Sequence, residues 1–204
     1  MKPIILASQS PRRRALLSQI NLTFTVHPSN VSEDTDREFS PSELVEKLAR
    51  RKAIDVAQNY RSALVIGADT IVVHQGDILG KPGSEYEAIR LLKRLSADTH
   101  EVYSGVCLVL TNAQKGLQKT TSFYACTRVT FSSLSDQEIE EYVKTGSPMD
   151  KAGAYGIQDD WGSLFVSEIH GDYYNVVGFP LQKFYSVLKD FAPEYLPSAI
   201  LENG

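Results

Sequence analysis

The chain has 204 residues, 42% of them apolar and 23% charged, enough for one sizeable core or two fused lobes. Its net charge of −4 excludes a sequence-independent nucleic-acid binder, which needs a broad basic face. No apolar run reaches the length of a membrane span, and the opening MKPIILASQS reads as a strand, so neither a membrane anchor nor a signal peptide is expected.

In chain order, PIILA (3–7) predicts a short buried strand. The helix behind it starts in SQSPRRRALL: Ser10 is a good N-cap, and Pro11 suits the first helical position because it has no N–H to waste. Leu16, Leu17 and Ile20 give that helix its apolar face, while Arg12, Arg13 and Arg14 crowd its first turn. A helix N-terminus already carries about half a positive charge, so the arginines are misplaced unless an anion docks there, as phosphates do. Solvated arginines on a surface helix are the plain alternative. LTFTV (22–26) alternates like a strand, and a loop bearing Glu33, Asp34, Asp36 and Glu38 follows. Ser40 and Glu43 predict a capping box for a helix to about Gln58.

ALVIGAD (63–69) is a nearly continuous apolar run, which predicts a strand buried on both faces with Asp69 where it meets a turn. IVVHQGDILGKP (71–82) predicts a hairpin turning at Gly76-Asp77. Ser84 and Glu87 predict a second capping box for a helix through Leu95. EVYSGVCLVL and QKTTSFYACTRVTF predict long antiparallel strands. Ser135 and Glu138 cap a third helix, closed at Thr145-Gly146. After DKAGAYGIQ (150–158) come the strand SLFVSEI, a turn at Gly171-Asp172 and a last helix from about Leu181 to Phe191. The expectation is an α/β fold: a mixed twisted sheet with flanking helices, in two lobes around a cleft. One domain is expected over 1–191, with a C-terminal tail over 192–204. Cys107 and Cys126 form no metal-spaced pair and are expected as buried reduced thiols, which suits the cytoplasm.

Several residues could carry chemistry. Ligands of open α/β sheets gather outside the carboxyl ends of strands, which marks Asp69, although an Asp there can equally cap a turn. Glu33 in the acidic loop and Lys52 beside Arg50 and Arg51 read as solvated charges when taken singly. Lys81 is constrained by Gly80 and Pro82. Together these cations and carboxylates are the set a metal–polyphosphate complex needs: the cations neutralise phosphate oxygens and the carboxylates hold a divalent ion. In DKAGAYGIQ, small residues let the backbone approach a flat ligand, and the Gln158 amide can donate and accept together; a tight structural turn explains the same spacing. No Walker loop, GxGxxG, nucleophile elbow or HExxH is present.

Taken together, ASQSPRRRALL, GADTIV, GKP, THEVYSGV, TGSPMDKAGAYGIQ and GDYYNVVGFPL occur in an order that resembles the Maf family of nucleoside triphosphate pyrophosphatases, from about Ile4 to Leu188. The resemblance implies a fold related to the inosine triphosphatase architecture. It also implies Mg2+- or Mn2+-dependent hydrolysis of a nucleoside triphosphate to monophosphate and pyrophosphate. Carried over by position, Asp69 resembles the proton acceptor and, with Glu33, a metal ligand. Ser8, Arg12, Arg13, Lys52 and Lys81 fall on substrate-binding positions, and Arg12, Thr70 and Gln158 on positions tied to substrate choice. GADT with GIQ is similar to the dTTP/UTP branch. Ser147, Ser104 and Asp159-Asp160-Trp161 depart from the family pattern, the last beside Gln158. The partner so implied is a small-molecule nucleotide, with no nucleic acid and no membrane; a homodimer stays open. The competing reading is a non-enzymatic nucleotide-binding regulator of cell division or stress.

Overall fold

The computed structural model describes residues 2–32, 39–112, 116–159 and 161–196. Among these described residues, seven strands form one mixed sheet: β1 (Ile4–Leu6), β2 (Thr25–Val26), β3 (Leu64–His74), β4 (Asp77–Leu79), β5 (Thr99–Asn112), β6 (Gly116–Phe131) and β7 (Val166–His170). Their order is β2-β1-β3-β5-β6-β7, with β4 paired to β3 off this path. β1 runs parallel to both β2 and β3, whereas β3–β4 and β6–β7 are antiparallel, so the sheet is mixed as expected. The helices are α1 (Pro11–Gln19), α2 (Pro41–Ala57), α3 (Glu85–Leu95), α4 (Asp136–Lys144), α5 (Tyr173–Val177) and α6 (Leu181–Phe191).

The chain divides into two compact units. One comprises Met1–Asp69, Ser104–Ala125 and Gly178–Gly204; the other comprises Thr70–Tyr103 and Cys126–Val177. In the first, the buried cluster joins Ile5 and Ala7 of the β1 segment, Val65 of β3 and Cys107 and Val109 of β5 to Ala49, Ala53 and Val56 of α2. The alternation of β3 therefore puts Val65, Gly67 and Asp69 on the face that α2 covers. Gly67 is where the two elements come closest. A Cβ there would lie 2.3 Å from Ala49 O and 2.7 Å from Ala53 N, both backbone atoms, so only glycine fits.

Most helix ends follow the sequence. Ser10 accepts from Arg13 N–H with Pro11 at N1, and the capping boxes Ser40/Glu43 and Ser135/Glu138 are both complete. At α3 only half the expected box forms: Ser84 accepts from Glu87 N–H, but Glu87 Oε2 accepts from Gly83 N–H at 2.8 Å. Four strand expectations are corrected. The strand expected over LTFTV (22–26) covers only Thr25–Val26. β3 does not stop at Asp69 but runs on to His74, because the residues after it are apolar and pair with β4. His74 pairs with Asp77, so the hairpin turns at Gln75-Gly76, both in the left-handed region (φ 51° and 83°), one residue earlier than expected. The strand expected over SLFVSEI begins only at Val166. Cys107 is free and buried, but Cys126 is exposed: it shares the outward register of β6 with Tyr124 and Arg128, while Thr127 and Val129 point inward.

Candidate active site

The first unit assembles four of the expected site residues around the end of β1. Where β1 stops at Leu6, Ala7 N–H still donates to Ile66 O, and β3 continues beyond its parallel neighbour towards Asp69. Asp69 thus stands past the carboxyl end of a parallel strand, although not at the end of its own. Lys52, on α2 next to the Ala53 that closes over Gly67, reaches it: Lys52 Nζ donates to Asp69 Oδ1 at 2.5 Å. Their side chains are 9% and 10% exposed, so this is a buried ion pair. Such a pair is weak evidence for stability, because desolvating two charges costs about what their attraction returns. A site that needs a fixed carboxylate explains it better.

Ser8 and Arg13 build the adjoining wall. Ser8 is buried and its Oγ accepts from Ser10 N–H at 3.2 Å and from Arg13 Nη1 at 3.1 Å. Arg13 also donates through Nη1 to Ala68 O at 2.9 Å and through Nε to Gly178 O at 3.0 Å. This guanidinium, expected from the sequence to await a phosphate, is buried and bonded to the protein. Its planar fork ties the loop after β1 to the residue preceding Asp69, and three acceptors offset its desolvation. Arg12 is half-buried and Arg14 exposed on the same turn, so the crowded arginines have different surroundings.

The second unit carries Thr70, Lys81 and Gln158. Thr70 is half-buried on β3, the residue after Asp69. Lys81 is exposed in the connection from β4 to α3, and its neighbour Gly80 O accepts from Gly153 N–H at 3.1 Å. The GKP and DKAGAYGIQ motifs are therefore joined through their backbones. Gln158 is half-buried and its Nε2 donates to Asp159 Oδ1 at 2.8 Å. Lys151, buried in the same segment, gives its Nζ to Ser147 O, Asp150 Oδ1 and Asp159 Oδ2. Burial works against the Lys151 charge, but the bonds to Asp150 and Asp159 outweigh it and hold the ammonium above the ordinary lysine range.

One buried polar residue with a structural role did not stand out in the sequence. Asn175, fully buried in α5, donates from Nδ2 to Val102 O and to Thr127 Oγ1, both at 2.9 Å, and Thr127 Oγ1 donates to Asp172 O. The GDYYN motif is thus bonded to β5 and β6. An Asn inside a motif otherwise rich in aromatic and apolar residues was the available signal.

Glu33, the second expected metal ligand, lies outside the described residues. Among the described residues, no group of three or more His, Cys, Asp or Glu side chains is placed to hold a metal ion. Asp69 still fits a divalent cation that arrives with phosphate. Such ions keep much of their water shell and take one or two carboxylates plus phosphate oxygens, and a carboxylate whose Oδ1 meets Lys52 retains acceptor sites on Oδ2.

A mixed open sheet with a buried Lys–Asp pair beyond a parallel strand defines an α/β protein with a polar site at that edge. The chain belongs to the Maf family, whose model, described as Maf-like protein, matches residues 3–191. Among curated proteins, it is 51% identical over 189 residues to the dTTP/UTP pyrophosphatase of Halalkalibacterium halodurans, covering 93% of this chain and 96% of that one. It is 49% identical to the protein of that name from Salinibacter ruber, covering 92% and 90%. For the Dictyoglomus turgidum protein, also a dTTP/UTP pyrophosphatase, identity is 50% with 93% and 96% covered.

Proposed function

We propose that this chain hydrolyses dTTP and UTP to the nucleoside monophosphate and pyrophosphate, with a divalent cation alongside. The observation that carries the reading is the buried Lys52–Asp69 pair, set in a chain about half identical to proteins named for that activity. Asp69 takes the proton of the attacking water, and Lys52 keeps its carboxylate in one position. Asp69 and Glu33 are the carboxylates that would hold Mg2+ or Mn2+, whose chemistry is to neutralise phosphate charge and acidify a bound water. Arg12, Lys52 and Lys81 offer positive charge to phosphate oxygens, and Ser8 a hydroxyl. Arg13 serves the site through its bonds to Ser8 and Ala68. Arg12, Thr70 and Gln158 contribute to the choice of base, and the chain acts as a cytoplasmic enzyme.

The test is a nucleotide panel with Mg2+ or Mn2+, resolving monophosphate plus pyrophosphate from diphosphate plus phosphate. The expected result is dTMP and UMP with pyrophosphate, and little reaction with dCTP. Diphosphate and phosphate as products would sink the pyrophosphatase reading. Nucleotide bound but recovered intact would favour a binding protein.

A further inference from the structure

The base edges of the expected substrates pose a problem that Gln158 alone does not solve. Uracil and thymine present an acceptor at position 4 beside an N–H donor at position 3, and cytosine presents the reverse. A glutamine amide matches the first edge in one orientation and the second after a half-turn about its last bond. An amide free to turn therefore discriminates little.

Gln158 is not free to turn. Its Nε2 donates to Asp159 Oδ1 at 2.8 Å, and a carboxylate can only accept, so this orientation follows from chemistry. The half-turn would set Oε1 against a carboxylate oxygen with no proton between them. One N–H is committed to Asp159, which leaves the second N–H and Oε1, one donor and one acceptor. Asp159 is itself held: Lys151 Nζ lies 2.8 Å from its Oδ2, its N–H donates to Gly156 O, and its carbonyl accepts from Ser163 N–H. Gly156 makes room for the pair, since a Cβ there would come within 2.4 Å of Asp159 Oδ2 and 2.7 Å of Lys151 Cε.

We propose that Asp159, anchored by Lys151, is a positioning residue that locks the Gln158 amide in one orientation and so makes it select uracil and thymine over cytosine. The inference rests on the reading of Gln158 as a base-recognition residue.

The test compares kcat/KM for dTTP and dCTP in the parent protein, Asp159→Ala, Asp159→Asn and Gln158→Leu, with melting temperatures for each. In Asp159→Ala the ratio of dTTP to dCTP should fall roughly tenfold, chiefly because dCTP improves. In Asp159→Asn the new amide turns its oxygen to Lys151 and its NH2 to Gln158, which reverses the Gln158 amide, so the ratio should fall further; this near-isostere also serves if the alanine variant fails to fold. A merely structural role would lower both activities together and leave the ratio unchanged. If the folded Asp159 variants keep the parent ratio while Gln158→Leu loses it, the inference is overturned and Gln158 stands as the base reader. If Gln158→Leu keeps the ratio, the reading beneath it fails as well.

Discussion

Lys52 Nζ and Asp69 Oδ1 are 2.5 Å apart, in side chains about nine-tenths buried, and 17 positions separate the two residues in the chain. The pair forms because α2 lies against β3 at Gly67, bringing the residue beside Ala53 over the residue two beyond Gly67. A lysine that reads as a solvated charge and an aspartate that reads as a strand-end carboxylate become one buried unit.

Removing one partner should therefore affect two properties. Asp69→Asn keeps shape but removes the carboxylate proposed as the base, so turnover should fall by at least about 10²-fold. It also strips Lys52 of its counter-charge, and leaving one member of a buried pair costs about 3–5 kcal/mol. Urea unfolding should show that loss, and adding Lys52→Met should recover much of the stability without restoring turnover. Near-normal turnover in folded Asp69→Asn would remove Asp69 from the mechanism.

The arginine turn yields a contrast between neighbours. Arg13→Ala removes the guanidinium bonds to Ala68 O, Gly178 O and Ser8 Oγ. At about 1.5–3 kcal/mol for a hydrogen bond to a charged group, the free protein should lose several degrees of melting temperature. Arg12→Ala relieves charge at a helix N-terminus, so its melting loss should be much smaller than that of Arg13→Ala, while kcat/KM for the triphosphate falls. Equal melting losses in both variants would mean that Arg12 is as structural as Arg13.

What the sequence disclosed divides along a physical line. Local signals were legible: Ser10 before Pro11, the boxes at Ser40/Glu43 and Ser135/Glu138, and the bounds of α6 all depend on residues within one turn. Partnerships across the chain were not. Nothing near Arg13 announces that its guanidinium meets Gly178, 165 residues away, and nothing near Lys52 distinguishes it from Arg50 and Arg51. β3 misled for another reason: a carboxylate after an apolar run suggests a strand end, but here the charge is satisfied by a helix lying on that face. Asp69 and Gln158 stood out from their own surroundings in the sequence, the family resemblance gave them roles, and the geometry supplied their neighbours.

His100 links stability to pH. Its ring is buried, with Nε2 2.8 Å from the Tyr155 hydroxyl and Phe131 edge-on at 5.1 Å, while Nδ1 has no hydrogen-bond partner among the described residues. Burial, helped by the charge on His74 and opposed by Asp98, pulls its pKa from 6.5 to about 4. The folded state thus disfavours the proton that the unfolded chain accepts. The contribution is whole above about pH 6.5 and is lost as pH falls towards 4, amounting to roughly 3 kcal/mol at most. Unfolding free energies from pH 7 to 4 should fall less steeply in His100→Phe than in the parent, whatever their levels at pH 7. Parallel slopes would show that His100 contributes no linkage.

The last prediction isolates the approach of α2 to β3. In Gly67→Ala the added Cβ would sit 2.3 Å from Ala49 O, 2.7 Å from Ala53 N and 2.8 Å from Ala53 Cβ. The first two are backbone atoms of a helix whose own hydrogen bonds resist local movement, so α2 must shift as a body. Overpacking of this kind costs about 1–3 kcal/mol, which unfolding in urea would measure. The functional loss should exceed what that destabilisation explains, because a shift of α2 also moves Lys52 relative to Asp69. Loss of precise positioning by about 1 Å can cost on the order of 10²-fold in rate even when the protein stays folded. The companion variant Ala53→Gly decides which contact matters. It removes the Cβ clash alone, so Gly67→Ala with Ala53→Gly should remain impaired if the backbone atoms are the obstacle. Recovery of full turnover in the double variant would show that the Ala53 methyl group, not the backbone of α2, sets the spacing that brings Lys52 to Asp69.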